Sequence, residues 1–242
     1  MPETTCGTLY GLGVGPGDPK LITLRALEVL KTVDLVFAAG SNKNDYSLAL
    51  NIVRDHLPPQ TPVRKLDFPM TKDPAARRKA WRRNAEEVLA ELRQGRHAAF
   101  LTLGDPLTYS TFGYLAQTIL QMAPQTPVET VPGITAYHAA AARLNLPLVE
   151  DRQSLTVVSG VSDAAEISRL ARAGGTVVIL KTYRNYDAIL DALGPLNHGR
   201  QAYTVCACGL EGELVARDPE SLRGRDMPYL SLMIVKQPAE GE

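Results

Sequence analysis

Three glycine- and proline-rich turns hold the residues of this chain that are best suited to binding a small molecule. They are Gly15-Pro16-Gly17-Asp18, Gly104-Asp105-Pro106 and Pro132-Gly133-Ile134-Thr135. Glycine lets the backbone approach a ligand closely, proline fixes φ and removes a donor, and each turn adds a carboxylate or a hydroxyl. One such turn could be an ordinary strand-to-helix connection. Three of them together favour binding through backbone groups.

The first turn matches neither familiar phosphate-binding template. Counted from Gly11, the G-x-G-x-x-G pattern needs glycine at position 16, which is Pro16, and counted from Gly13 it needs glycine at position 18, which is Asp18. The P-loop pattern fails because no Gly-Lys-Ser/Thr ending is present. The turn therefore lets a ligand approach the backbone without the geometry of a dinucleotide or P-loop site.

Cysteine and histidine give no metal site. Cys206 and Cys208 stand one residue apart, on the same side of an expected strand, but no second pair or nearby histidine completes a ligand set. The four histidines are scattered along the chain. We expect small strand residues and surface imidazoles, and no protein-bound metal.

A basic run surrounds Trp81, and two interpretations of it stay open. It consists of Arg77, Arg78, Lys79, Arg82 and Arg83. A basic run beside an aromatic residue could bind a polyanionic ligand. The alternative is a solvated helix face, which is favoured because Glu86, Glu87 and Glu91 follow at helical spacing.

The elements that position the turns can be inferred from hydrophobic patterning. Residues 98–115 begin as a continuous apolar run, stop at Gly104-Asp105-Pro106 and restart as a helix. This pattern is typical of a buried parallel strand, a tight turn and a helix, and it recurs at residues 8–30 and 127–144. Turns after parallel strands meet at the carboxyl edge of a sheet, where ligands bind in α/β proteins. We therefore expect the three turns to line one ligand crevice.

Alternating strands and helices in both halves predict an α/β protein of two α/β domains, residues 1–148 and 149–242, with a cleft between them. In the first domain, Asp18 and Pro19 are expected to begin a helix with Leu21, Leu24, Leu27 and Leu30 as its buried stripe. In the second domain, antiparallel hairpins are expected near the end of the chain.

Composition excludes several classes of function. The chain of 242 residues has 26 basic and 26 acidic residues and only 6% aromatic residues, which disfavours nucleic-acid binding. No apolar stretch reaches the roughly 20 residues of a membrane span, and no signal peptide is evident. These features predict a cytoplasmic protein with no membrane or nucleic-acid partner.

Over nearly its whole length, the sequence resembles the tetrapyrrole methylase family, which are S-adenosylmethionine-dependent class III methyltransferases of two α/β domains. The resemblance is carried by the stretch 10–18, by Gly104-Asp105-Pro106, by 131–135 and by Pro228-Tyr229. Within the family, it is similar to the branch that methylates C20 of precorrin-2 or cobalt-factor II in cobalamin synthesis. The branch elements are Ser47-Leu48-Ala49, Phe68-Pro69-Met70-Thr71 and the stretch 103–111, especially Tyr109-Ser110-Thr111.

The resemblance implies that S-adenosylmethionine binds folded in the interdomain cleft. Pro16 would form one wall, the turn after the central strand would hold the methionine and ribose, the third signature would add contacts, and the second domain would face the adenine. The implied residues are Pro16, Leu103, Gly104, Asp105, Thr108, Thr135, Ala136, Leu180, Lys181 and Tyr229. The run Cys206-Ala207-Cys208-Gly209 departs from the polar run of relatives, which puts a contact at Cys208 in doubt.

The resemblance also implies a tetrapyrrole substrate and a homodimer. Lys43 and the run 77–83 are candidates for binding the substrate carboxylates, and any cobalt would arrive inside the substrate. The sequence identifies no catalytic base, and Asp105 is better explained as a turn former or cofactor ligand. Alternatives are uroporphyrinogen-III, diphthine or ribosomal-RNA methylation, or a non-catalytic nucleotide-binding module.

Overall fold

The computed structural model describes residues 6–40, 48–161, 163–172, 174–194 and 200–237. Its internal contacts divide the chain into two compact units, residues 1–135 and 136–242. The domain boundary expected after residue 148 stays a prediction.

The first unit is an alternating arrangement of strands and helices. Its strands are β1 (Leu9–Gly13), β2 (Leu35–Gly40), β3 (Val63–Asp67), β4 (Ala98–Thr102) and β5 (Val128–Val131). Its helices are α1 (Leu24–Leu30), α2 (Leu48–Val53), α3 (Pro74–Leu92) and α4 (Phe112–Met122).

The five strands of this unit form one parallel sheet in the order β3-β2-β4-β1-β5. Helices cover both faces, so the core has two parts, one around Phe37, Phe100 and Phe112 and the other around Leu12 and Leu101. Every residue of β4 is buried, which explains its continuous apolar run. The predicted parallel sheet is confirmed, and β4 and β1 are central in it.

The predicted first helix is wrong at its start. Asp18 and Pro19 begin only a 3-10 turn, Pro19–Leu21, in which the Asp18 carboxylate accepts a hydrogen bond from the Lys20 N–H at 2.9 Å. The chain then becomes extended, and α1 begins at Leu24 with Thr23 as its N-cap. This break moves the buried face to Ala26, Val29 and Leu30 and leaves Leu24 79% exposed. Helical spacing alone did not reveal the break because two capping residues compete within six positions.

The second unit contains α5 (Ala136–Leu144), β6 (Leu155–Ser159), α6 (Ala164–Arg172), β7 (Thr176–Leu180), α7 (Tyr186–Leu193), β8 (Gln201–Cys206), β9 (Leu214–Ala216) and β10 (Ser231–Lys236). Its sheet has the order β6-β7-β10-β8-β9, with only β6 and β7 parallel. The expected antiparallel pairing near the end of the chain is confirmed, and β10 inserts between β7 and β8.

Candidate functional site

The three predicted turns meet at the carboxyl edge of the first sheet. They follow β1, β4 and β5, which are neighbours in the order β4-β1-β5. The backbone N–H of Gly104 donates to the Gly15 carbonyl at 2.8 Å, and that of Val14 donates to the Thr102 carbonyl at 3.0 Å. We call residues 13–18, 103–110 and 132–135 the loop cluster. Its first two turns are joined through the backbone alone.

Glycines at positions 13 and 133 make the close approach of the third turn possible. A Cβ at position 133 would lie 2.1 Å from the Gly104 carbonyl oxygen and 2.7 Å from the Gly13 Cα. A Cβ at position 13 would lie 2.5 Å from the Gly133 Cα. No side chain fits at such distances without moving backbone. The three turns therefore form one packed backbone unit.

The Asp105 carboxylate links the second and third turns. Its Oδ1 accepts hydrogen bonds from the Leu107 N–H at 2.9 Å and the Thr108 hydroxyl at 3.2 Å, and its Oδ2 accepts from the Gly133 N–H at 3.1 Å. Three donors on one carboxylate hold the turns in place. This geometry supports the turn-forming role that the sequence suggested for Asp105.

Gly104 is buried, but a Cβ at this position would meet no atom at clashing distance. Its φ is +74°, a left-handed conformation that favours glycine, and a Cβ there would find its nearest atoms, in Ile134 and Thr135, only at 3.9 Å. Around it, Pro16 and Thr135 are buried, and Leu103, Asp105 and Thr108 are half-buried. Ala136 follows directly as the first residue of α5. The first-unit residues that the resemblance implied are thus brought together.

Two large side chains in the loop cluster after Asp105 point outward. Leu107 is 69% and Tyr109 56% exposed, and Tyr109 adopts a φ of +50° that is uncommon for a non-glycine residue. Ser110 faces inward, since its hydroxyl lies 3.3 Å from the Thr102 hydroxyl and accepts from the Phe112 N–H at 3.0 Å. In the sequence, the pattern Tyr109-Ser110-Thr111 indicated only a family branch. It did not reveal that Ser110, two residues before a helix, is the anchor of this loop.

The predicted residues of the second unit also lie together. Leu180 ends β7, and the Lys181 N–H donates to the Ser231 carbonyl at 2.8 Å at the start of β10. Lys181 has φ 60° and ψ 45°, and Tyr229 is 50% exposed with its ring 5.1 Å from that of Tyr183. We call residues 180–183 and 229–231 the second-unit cluster. It consists of partly exposed side chains on a backbone scaffold.

The cysteine pair supports the same edge of the second sheet. Cys206 is paired in register with Ser231, and the Ala207 N–H donates to the Leu230 carbonyl at 2.7 Å. Burial raises the pKa of the Cys206 and Cys208 thiols to about 11, so both are neutral at physiological pH. Burial opposes ionisation of Glu213, but hydrogen bonds from the Gly209 N–H and from Arg143 outweigh it and lower the pKa of that carboxyl.

Other predicted positions give no further site. Lys43 and Ser47 lie outside the described residues. Among the residues that are described, no three His, Cys, Asp or Glu side chains are grouped as a metal site would require. No helix in the described part of the chain is long and apolar enough to cross a membrane.

The family model for tetrapyrrole (corrin/porphyrin) methylases matches residues 8–222. The chain belongs to this family. This methylase is 37% identical over 232 residues to the cobalt-precorrin-2 C(20)-methyltransferase of Salmonella typhimurium strain LT2, which covers 96% of this chain and 97% of the relative. It is 39% identical to the probable cobalt-precorrin-2 C(20)-methyltransferase of Methanocaldococcus jannaschii, with coverages of 95% and 96%. The precorrin-2 C(20)-methyltransferase of a Sinorhizobium species is 32% identical, with 97% of both chains covered.

Solved structures agree on the fold of the methylase. The structure of a cobalt precorrin-4 methyltransferase superposes with a TM-score of 0.73 at 20% identity and covers 98% of this chain and 97% of that chain. A uroporphyrin-III C-methyltransferase from Thermus thermophilus, complexed with S-adenosyl homocysteine, has a TM-score of 0.65 at 22% identity, with coverages of 95% and 97%. The predicted tetrapyrrole methylase fold is confirmed.

Proposed function

We propose that this methylase transfers a methyl group from S-adenosylmethionine to C20 of precorrin-2 or of its cobalt-containing form, in cobalamin biosynthesis. The observation that carries the proposal is similarity over nearly the full length of three relatives named as C20-methyltransferases, at 32–39% identity. The loop cluster supports it, because a site made of packed backbone suits a reaction that needs a bound methyl donor and no catalytic triad.

The loop cluster is proposed to bind the methionine and ribose of the cofactor. Because a Cβ at Gly104 would meet no atom closer than 3.9 Å, a ligand atom could approach this turn and the backbone groups that Asp105 holds in place. Leu180, Lys181 and Tyr229 of the second-unit cluster are proposed to contact the adenine. A relative of the same fold is complexed with S-adenosyl homocysteine, the product that methyl transfer leaves.

The proposed reaction depends more on alignment of the methyl donor with C20 than on acid–base catalysis by side chains. S-adenosylmethionine supplies an electrophilic methyl group, and the C20 bridge carbon of the reduced tetrapyrrole is the nucleophile. The S–CH₃ bond breaks as the C20–CH₃ bond forms, and C20 then loses its proton. Fixed turns that hold sulfur, methyl and C20 in line and exclude water can supply much of the rate enhancement. The Asp105 carboxylate accepts three protein hydrogen bonds, so we assign it to positioning the turns.

Methyl transfer with labelled cofactor tests the proposal. The protein would be incubated with precorrin-2, cobalt-factor II and uroporphyrinogen III in turn, and the products identified by mass spectrometry. We expect one added methyl group, at C20, on precorrin-2 or cobalt-factor II. Methylation of uroporphyrinogen III alone would refute the C20 assignment. Comparing the two expected substrates also decides whether cobalt must already be present.

Calorimetric titration separates a methyltransferase from a nucleotide-binding module of the same fold. We expect S-adenosylmethionine to bind and ATP not to bind. Binding of ATP without binding of S-adenosylmethionine would overturn the methyltransferase assignment.

We also propose that the protein is a cytoplasmic homodimer, as the resemblance implied. Light scattering after size-exclusion chromatography measures the oligomeric state.

The substitution Gly104→Val tests the cofactor site. The Cβ of the new side chain would meet no atom closer than 3.9 Å, but the φ of +74° adds roughly 1–2 kcal/mol of strain. The variant should fold and lose most of its affinity for S-adenosylmethionine. Wild-type affinity in a folded variant, measured by calorimetry, would show that the cofactor does not approach this turn.

A further inference from the structure

We propose that Arg77, at the start of α3, binds a carboxylate of the tetrapyrrole substrate. The inference rests on the proposed function, and it selects one residue from a basic run that the sequence could not resolve. The structure separates the members of that run by their partners and by the side of α3 on which they lie.

Two arginines of the run are already paired with acids. The Arg82 Nε lies 3.1 Å from Glu86, and an Arg83 Nη lies 3.7 Å from Asp67. A surface cavity of about 480 Å³ is lined by these two arginines and Lys79, but Asp67 and Glu86 also line it. The two acids offset two of the three positive charges there and are ion-paired with the arginines, so this part of the run is a poorer site for an anion.

Arg77 is different because it is half-buried and forms no ion pair with any residue that the structure describes. Its Nε is shielded from solvent and has no hydrogen-bond partner among the described residues, and none of the acids in that part of the chain forms an ion pair with it. Withdrawing a guanidinium from water without pairing it costs free energy. A bound carboxylate would remove that cost, because it pairs with a guanidinium through two hydrogen bonds.

The position of Arg77 places it at the carboxyl edge of the first sheet. The strands β3 and β4 are both parallel to β2, so the connecting helix α3 begins at the edge that carries the loop cluster. Arg77 is in the first turn of α3, and helical side chains lean toward the helix N-terminus. Its guanidinium is therefore directed toward the edge at which the cofactor is proposed to bind.

Contacts between α3 and α4 bring the same face of α3 beside the loop between β4 and α4. Trp81, one turn after Arg77, stacks on Tyr114 with ring centroids 4.6 Å apart and an interplanar angle of 8°. Tyr114 lies in the first turn of α4, directly after the loop that exposes Leu107 and Tyr109. Exposed apolar side chains beside an unpaired cation suit a flat macrocycle with a carboxylate rim.

Equilibrium binding of cobalt-factor II, followed by absorbance titration, tests the inference in Arg77→Gln, Arg77→Lys and the control Arg82→Gln. The loss of one charge-assisted pair should raise the Kd of Arg77→Gln about tenfold. Arg77→Lys should recover part of the affinity, and Arg82→Gln should stay within about twofold of wild type. The Kd for S-adenosylmethionine should be unchanged in all three. Thermal unfolding of Arg77→Gln should match or exceed wild type, because the lost charge has no internal partner.

Two results would overturn the inference. One is an unchanged Kd for cobalt-factor II in Arg77→Gln, and the other is an equal loss in Arg77→Gln and Arg82→Gln, which would indicate a general effect of charge. If the wild type binds cobalt-factor II but methylates no tetrapyrrole at C20, the proposed function fails, and the binding series still decides the role of Arg77. A wild type that binds no tetrapyrrole would overturn both.

Discussion

The loop cluster and the second-unit cluster, which we propose bind one cofactor, are built in different ways. In the loop cluster, three turns after neighbouring parallel strands touch through backbone, with no room for a Cβ at position 13 or 133. In the second-unit cluster, side chains such as Tyr229 are half-exposed on a backbone held by strand pairing and by hydrogen bonds such as those from Lys181 to Ser231 and from Ala207 to Leu230. The loop cluster is formed by closely packed backbone, whereas the second-unit cluster presents side chains that can be substituted without displacing backbone.

This difference predicts how each region responds to substitution. Backbone packed against backbone has no rotamer with which to relieve an added atom, so small changes there should be severe. Replacing an exposed aromatic ring removes only the contacts that the ring itself makes. The following predictions test this contrast, in order of their expected effect on cofactor affinity.

The largest loss is expected for Gly133→Ala. Its Cβ would lie 2.1 Å from the Gly104 carbonyl oxygen, so the turns must separate and the Asp105–Gly133 bond must weaken. Overpacking of this kind should lower the free energy of unfolding by about 1–3 kcal/mol. We expect the Kd for S-adenosylmethionine, measured by calorimetry, to rise at least about tenfold, because the turns move apart and the hydrogen bond between Asp105 and Gly133 weakens.

Gly113→Ala is the matched control for this change. Position 113 lies in α4, and a Cβ there would meet nothing within 4 Å. Alanine should stabilise the helix by up to about 1 kcal/mol and leave cofactor affinity unchanged. Equal behaviour of the two alanine variants would show that the loop cluster is not a rigid backbone unit.

A smaller loss is expected for Tyr229→Ala. Removing the ring takes away its edge contact with Tyr183 and the surface proposed to face the adenine, which should weaken S-adenosylmethionine binding by about three- to tenfold. Tyr229→Phe keeps the ring and should bind like wild type. A Tyr229→Ala variant with wild-type affinity in calorimetry would remove this residue from the site.

The smallest effect on binding is expected for the buried thiols. Because their pKa is raised to about 11 on folding, Cys206 and Cys208 contribute stability that is fully present below the unfolded pKa of about 8.5 and is lost as pH rises toward 11. Denaturant unfolding from pH 7 to 11 should show this loss, and a Cys206→Ala, Cys208→Ala double variant should reduce it. The same dependence of unfolding free energy on pH in both proteins would argue against buried thiols.

Alkylation provides a second test of thiol burial. Iodoacetamide at pH 8 should label Cys6, which is exposed, much faster than Cys206 and Cys208.

Much of the fold could be predicted from local sequence signals. The apolar run 98–102 and the glycine turn after it predict β4 and its carboxyl-edge turn, because both depend on neighbouring residues. The failure at Leu24 has a local cause too, since Thr23 provides a second cap that ends the influence of Asp18. Hydrophobic patterning does not indicate which of two nearby N-cap residues begins the helix.

The sequence by itself determined which turns could hold a ligand and, through its motifs, to which family the chain belongs. Residue types and order along one stretch carry that information. Only the tertiary structure decided that Gly13, Gly104 and Gly133 touch, and that Arg77 finds no ion-pair partner in the described part of the chain while Arg82 has one. Those facts depend on strand order and on which helix faces pack together, and these bring together residues that are distant in the chain.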